Sequence, residues 1–291
     1  MKKLFVLFSF PFFLFTCEKE PEDPKSNLEL DIENLAPLGA DEQYEGWIIV
    51  DGSPVSTGTF TVDASGNLSE TSFEVSDDDL SAATDFVLSI EPVPDNDPAP
   101  SDIKLLGGSF SGSMASVSVA HGAALGDDLS SGAGKYILAT PTTTTTDDEL
   151  SGIWFLSLES GSPMAGLNLP TLPANWVYEG WVVIDGMPVT TGRFSDETMA
   201  DYAAPYSGSD ASGPPFPGED FVMNAPAGLM FPTDLSGGKA VISIEPEPDN
   251  DAAPFQLKPL VADIPASAQD HLTYALMNKT AATFPTGKVK R

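Results

Sequence analysis

The chain has 291 residues and is 41% hydrophobic with seventeen Phe, which is enough for two packed cores of ordinary domain size. Its formal net charge is -30, and between Ser26 and Gly192 the only basic residues are Lys104 and Lys135, a field that repels phosphate backbones and excludes nucleic acid as a partner. Cys17 is the single cysteine, so an internal disulfide and a cysteine-rich zinc site are excluded as well.

Taken in order, the chain begins with Met1-Lys2-Lys3 and an apolar run from Leu4 to Phe15, interrupted by Pro11. A membrane-spanning helix needs about 20 apolar residues, so the run reads as a signal sequence. Leu14-Phe15-Thr16-Cys17 resembles a lipobox, with Phe15 and Thr16 bulkier than the small residues that usually precede the cysteine. The expectation is a signal peptide over 1–16 and lipidation at Cys17, with an ordinary secretory signal as the rival reading. Residues 17–27, polar, charged and holding two prolines, read as a flexible tether. The acidic residues directly behind the cysteine resemble the export signal of surface lipoproteins. Either leader puts the mature chain outside the cytoplasm, attached to a membrane through its lipid if Cys17 is acylated, with the outer membrane or cell surface as the expected address.

Beyond the tether the sequence repeats itself. Residues 44–60 and 178–194 are identical at eleven of seventeen positions, and residues 88–106 and 242–260 at twelve of nineteen. The first pair is 134 residues apart and the second 154, so the later copy carries twenty extra residues between its two lines. A period this long means two copies of a domain and not a solenoid. The expected domains are 28–158 and 164–291, with Leu28 to Leu35 and Leu167 to Leu172 as corresponding starts and 157–166 as the linker.

Within each copy, β-rich runs are bounded by turn residues. Trp47 to Val50, the turn Asp51-Gly52 and the return Gly58-Thr59-Phe60 predict a hairpin, repeated around Asp185-Gly186. Residues 61–85 read as an acidic loop with at most one helical turn over 76–80, followed by a strand over 86–90 that Glu91-Pro92 ends. Further strands are predicted over 103–106, 114–120, 135–139 and 152–156, with Pro141, five threonines and Asp147-Asp148-Glu149 as a solvated connection. The twenty extra residues fall within 195–240 and read as a long surface loop. A brief helix is predicted over 273–280, and the chain ends at 285–291 without an apolar tail. Short strands at regular spacing predict an all-β protein of two tandem β-sandwich-like domains.

Tyr44, Trp47, Gly58, Phe60, Glu91 and Pro92, repeated as Tyr178, Trp181, Gly192, Phe194, Glu245 and Pro246, carry a resemblance to the extracytoplasmic C-terminal domain of the anti-sigma-K factor family. Where that domain has a glycine-rich loop after Glu-Pro, this chain has Asp95-Asn96-Asp97 and Asp249-Asn250-Asp251. The resemblance implies a sensory, binding or structural module. Family members that control transcription also carry a cytoplasmic sigma-binding domain and a membrane span, for which a signal peptide at the N-terminus leaves no place here.

No residue is assigned to catalysis. His121 and His271, the only histidines, lie outside the repeated lines and are too few for a nucleophilic triad or a multi-histidine metal site. Glu91 and Glu245 have two readings: an acid that closes the following loop by accepting backbone N–H bonds, or one half of a hydrolase pair whose second acid the sequence does not identify. Asp95, Asn96, Asp97, Asp249, Asn250 and Asp251 are oxygen ligands of the kind calcium takes, and equally good turn residues. Trp47 and Trp181 are expected in the sheet cores, and Tyr44 and Tyr178 as caps on them. The leading expectation is a non-enzymatic envelope lipoprotein without a cofactor, binding an envelope protein or glycan. The alternative is a calcium-stabilised surface adhesin or cell-wall-associated protein.

Overall fold

A computed structural model describes residues 23–248 and 252–291. The signal peptide, Cys17 and the loop residues Asp249, Asn250 and Asp251 therefore lie outside the described residues.

The first copy supplies β1 (Lys25–Glu33), β2 (Glu42–Val50), β3 (Ser53–Phe60), β4 (Ser72–Ser76), the helix α1 (Asp77–Ala82), β5 (Asp85–Pro92), β6 (Lys104–Ser111), β7 (Met114–Ser118) and β8 (Ala133–Leu138). The short strands β9 (Gly152–Trp154), β10 (Leu156–Ser157) and β11 (Met164–Ala165) follow. The second copy supplies β12 (Leu167–Asn168), β13 (Trp176–Ile184), β14 (Met187–Phe194), β15 (Gly218–Asp220), β16 (Lys239–Pro246), β17 (Leu260–Asp263), β18 (Tyr274–Asn278), α2 (Thr280–Thr283) and β19 (Thr286–Lys290).

The repeated hairpins form for a local reason. Asp51 and Gly52 both have positive φ, 50° and 78°, and so do Asp185 and Gly186, at 52° and 83°. A two-residue turn of that hand matches the twist of the strands it joins. Each hairpin then carries a bulge, with the register shifting between Gly46 and Trp47 and between Gly180 and Trp181. In the bulges, next to the extra residues Thr57 and Thr191, Gly58 at φ 129° and Gly192 at φ 121° adopt a backbone that side chains disfavour.

All strand pairs are antiparallel, and they build two large sheets. The first runs β3-β2-β5-β6-β7-β19-β1-β4, and the second β14-β13-β16-β17-β18-β8-β9-β15, with β12 also paired to β8. In the first sheet the two end strands touch without pairing, the Phe60 and Phe73 rings lying 6.2 Å apart. Each sheet curls on itself into a near-barrel, and the expected all-β architecture of two β-sandwich-like domains is borne out.

Sheet membership departs from the expected spans 28–158 and 164–291. β8 and β9 fall in the first span but join the second sheet, and β19 falls in the second span but sits between β7 and β1 of the first. The two last strands are counterparts, Gly134-Lys135-Tyr136 and Gly287-Lys288-Val289, with Gly134 opposite Leu276 and Gly287 opposite Val117. Each copy gives its last strand to the other. An alternating strand presents the same ladder to any neighbour, so its pattern does not name its partner.

Other expectations are corrected locally. β4 and the six residues of α1, with Ser76 accepting from the Asp79 N–H at 3.3 Å, occupy part of the supposed loop over 61–85. The helix predicted over 273–280 is the strand β18 followed by α2, because β18 finds ladder partners on both sides, in β17 and β8. The linker 157–166 includes the β10–β11 hairpin, and β1 begins inside the supposed tether, Lys25 to Asn27 pairing with Ser76 to Glu74.

Most buried side chains form one continuous core through both sheets, with Leu28, Leu30 and Ile32 of β1 and Val289 of β19 on the first side and Tyr136 of β8 on the second, while Ile137, Ala139, Trp154 and Leu156 make a smaller separate cluster. Polar contacts join the copies, Ala36 N–H donating to Gln256 Oε1 at 2.6 Å and Asn278 Nδ2 to the Leu129 carbonyl at 2.7 Å. Among the described residues no helix is long and apolar enough to cross a membrane.

Candidate functional site

The repeated residues converge on one construction, present twice. On β2, Trp47 Nε1 donates to Ser89 Oγ on β5 at 2.8 Å, Ser89 donates to Glu91 Oε1, and that same oxygen accepts the Ser101 N–H at 2.8 Å. In the second copy Trp181 Nε1 donates to Ser243 Oγ at 2.8 Å, Ser243 donates to Glu245, and Glu245 Oε1 accepts the Phe255 N–H at 3.0 Å. Glu91 and Glu245 are almost wholly buried, at 2% and 1% exposure, so these bonds are what makes a carboxylate tolerable there. The chain from indole to glutamate fastens the far end of the proline-bounded loop to the sheet. Pro92 and Pro246 are the last residues of β5 and β16.

Trp47 and Trp181 are buried but stand outside the core cluster. Regular alternation along β2, with Tyr44 and Ile48 inward and an unbroken register to β5, sets the indole on the outer face of the sheet, beside Ile49 and Val87, where the loop covers it. This corrects the expectation that they fill the sheet interiors. The inner face carries Tyr44, stacked on Phe60 with centroids 5.5 Å apart, and Tyr178, stacked on Phe194 at 5.6 Å. Their hydroxyls donate to the Ala36 carbonyl at 2.9 Å and the Pro170 carbonyl at 2.7 Å, which ties the segment after each first strand to the core. Burial pushes both phenols well above their usual range.

Of the candidate calcium ligands, those of the first loop are described. Asp95 Oδ1 accepts the Asp97 N–H at 2.9 Å, and Asp97 Oδ1 accepts the Ala99 N–H at 3.0 Å. Both carboxylates thereby cap their own turns. Among the described residues no three His, Cys, Asp or Glu side chains gather in a way that could hold a metal ion.

His121 lies over Gly107, where an added Cβ would fall 2.3 Å from Nδ1, so the glycine makes room for the imidazole. Its Nε2 is 3.5 Å from Asp85 Oδ1, and the Ser109 hydroxyl donates to that carboxylate at 2.5 Å. This bond, more than the histidine, holds Asp85 below the usual carboxylate range. The serine is bonded to the acid and not to the imidazole, so the three do not make a nucleophile–base pair. Trp47, Ile49, Pro54 and Val87 line an apolar cavity of about 310 Å³ beside them. His271 sits against Asp270, with Nδ1 3.1 Å from its carboxylate. A second cleft of about 490 Å³ opens between the copies, lined by Asp41, Glu42, Glu245, Phe255, Gln256 and Lys258. Burial lowers the Lys258 ammonium pKa, opposed by the charge of Glu245.

The residues that sequence reasoning missed lie in the extra segment of the second copy. Glu219 and Asp220 of β15 are fully buried. Asp220 accepts from Trp154 Nε1 and from the Thr142 N–H, each at 2.8 Å, and from the Thr142 hydroxyl. Glu219 accepts from the Ser207 hydroxyl, from the Asp220 N–H at 3.1 Å and from the Tyr206 N–H at 3.3 Å. Asp201 accepts the Gly218 N–H at 3.0 Å and packs on Gly192, where an added Cβ would lie 2.5 Å from its Cγ. Burial pushes Asp201 and Glu219 each up to about 7, with the charge of Asp201 adding to the effect on Glu219. Burial also raises Asp220 against the pull of its hydrogen bonds. The connection after Pro141 is solvated over residues 144–147, but its start is not: Thr142 is buried, as is Thr140 just before it, whose N–H donates to Glu149 at 3.0 Å. Only Phe221, an aromatic directly after the acid pair, hints at burial in the sequence.

Comparison with curated proteins and with solved structures gives no match. Residues 23–103, which take in β1 to β5 and the Glu91-anchored loop, match the family model described as anti-sigma-K factor rskA, C-terminal, so the first copy is similar to that domain over its first five strands.

Proposed function

We propose that this chain is a non-enzymatic, extracytoplasmic lipoprotein whose two anti-sigma-K-like modules bind or brace another envelope component. The observation that carries this reading is the use made of the two repeated glutamates. Glu91 and Glu245 are the buried acids repeated at the start of the loop, and each is engaged by a serine hydroxyl and a loop N–H in its own module. A carboxylate committed to closing a loop is unsuited to donating or accepting a proton at a substrate. The cleft between the copies, lined by Asp41, Glu42, Phe255 and Gln256, offers a concave, acidic seat for a basic or hydrogen-bonding segment of a partner. The net charge of -30 favours a cationic partner over an anionic one.

The anchor rests on Met1-Lys2-Lys3, the apolar run and Cys17. Intact-mass and membrane-fractionation analysis of the natural chain beside Cys17→Ser tests it. An acylated mass at Cys17, lost in the variant together with membrane association, is the expected result. An uncleaved, cytoplasmic chain would sink the proposal.

A further inference from the structure

β19 is a central strand, and its identity is read by the slot it fills. Val289 is fully buried, and Gly287 lies so close to β1 that an added Cβ would stand 2.4 Å from the Asp31 carbonyl oxygen. On the outer face Lys288 and Lys290 stand opposite Asp31 and Glu29, with Lys290 Nζ 3.3 Å from Glu29. Arg291 completes the lock. Its Nη1 donates to the carbonyls of Leu80 and Ala83 at the end of α1, at 2.5 and 2.6 Å, and its Nη2 to that of Gly112 at 3.1 Å. Its guanidinium also lies 4.5 Å from the centre of the Phe110 ring. These contacts are made by residues 287–291, and the connection 279–285 makes none of them.

Both sheets are completed by the last strand of the other copy, and neither by its own. We propose that the slot between β1 and β7 is a strand-acceptor site that also takes the C-terminal strand of a second copy of this chain. A strand arriving from another molecule makes the same ladder, fills the same core position and brings the same arginine. Only the connection 279–285 distinguishes the two arrangements. Through a short tether it gives a molecule's own β19 an effective concentration in the millimolar range. Exchange between molecules is therefore driven by crowding: reciprocal exchange closes into a two-fold dimer, and one-way exchange closes into larger rings or extends as chains.

The test uses full-length chains, all carrying Cys17→Ser, with one new cysteine each. Asp31→Cys and Lys288→Cys replace exposed partners in the register of β1 and β19. The two variants are unfolded together, refolded from about 10 µM to about 1 mM to bracket the tether's effective concentration, and joined with a short bis-maleimide. A covalent heterodimer whose share rises severalfold across the range is expected. The double variant in one chain should link within itself at low concentration, and Lys288→Cys mixed with the exposed Asp234→Cys should give little heterodimer. The proposal is overturned if the double variant links internally while the mixture gives no heterodimer at any concentration. It is equally overturned if the Asp234→Cys mixture gives as much heterodimer, or if the double variant fails to link at all.

Discussion

Gly58 and Gly192 stand at the same bulge of the same hairpin, yet different groups close over them. In the first copy the ring of Phe73 covers the glycine, 2.8 Å from where a Cβ would be, and packs on Phe60. In the second the carboxyl of Asp201 takes that place, delivered by the extra segment and backed by Glu219 and Asp220. The frame is thus indifferent to the chemistry of its plug provided that the plug's polar atoms are satisfied. An apolar plug makes the first closure independent of pH, whereas a buried carboxyl makes the second depend on it.

The largest effect should come from breaking what the copies share by exchange. Val289→Asp puts an unpaired charge at a fully buried position and should cost about 3 to 5 kcal/mol or more in denaturant unfolding. Because β19 completes the first sheet, the loss should be seen at Trp47 fluorescence although the substitution lies in the second copy's sequence. Unchanged Trp47 emission with selective loss of the second sheet would contradict the exchange.

The pH dependence sharpens the contrast between the plugs. Asp201 and Glu219 hold their protons up to about pH 7 when folded, above the values near 4 of unfolded carboxyls. Their stabilisation is fully present below about pH 4 and is lost as pH rises through 7, since the unfolded chain ionises first. Stability should fall by on the order of 2 to 4 kcal/mol between pH 4 and 8. Asp201→Asn should remove roughly half of that slope, and Phe73→Leu none of it. A slope unchanged by Asp201→Asn would assign the pH dependence elsewhere.

The relays should respond alike. Glu91→Gln and Glu245→Gln each weaken the bonds from a serine and a loop N–H, and each should cost about 1 to 3 kcal/mol in thermal unfolding. A cost confined to one copy would mean that the second relay is not equivalent. The smallest effect is expected from metal: because Asp95 and Asp97 cap their own turns, the melting temperature should be the same in calcium and in chelator. A rise of several degrees with calcium would restore the adhesin reading.

Much of the local structure was legible in the sequence because it depends on neighbours along the chain. Asp51-Gly52 and Asp185-Gly186 specify their turns through positive φ, and Glu-Pro ends a strand by removing a donor. The repeated Trp, Ser and Glu were visible as spacing, but the bonds that link them cross between strands. The outward face of Trp47 needs no such contact: it follows from its odd spacing to the inward Tyr44 along β2, whose pairing with β5 is unbroken, while the one-residue bulge lies across from it at Thr57 of β3.

The sequence by itself determined a duplicated β-rich chain, the turns that fold each hairpin, the resemblance of its first copy and an overwhelmingly acidic surface, since each depends on residue type and short-range order. The tertiary structure alone decided that β8 and β19 change places, that two sheets share one core, and that carboxyls of the extra segment are buried. Those outcomes are set by which surfaces meet across more than a hundred residues. A strand's pattern fixes which face is apolar but leaves open which neighbour will cover it.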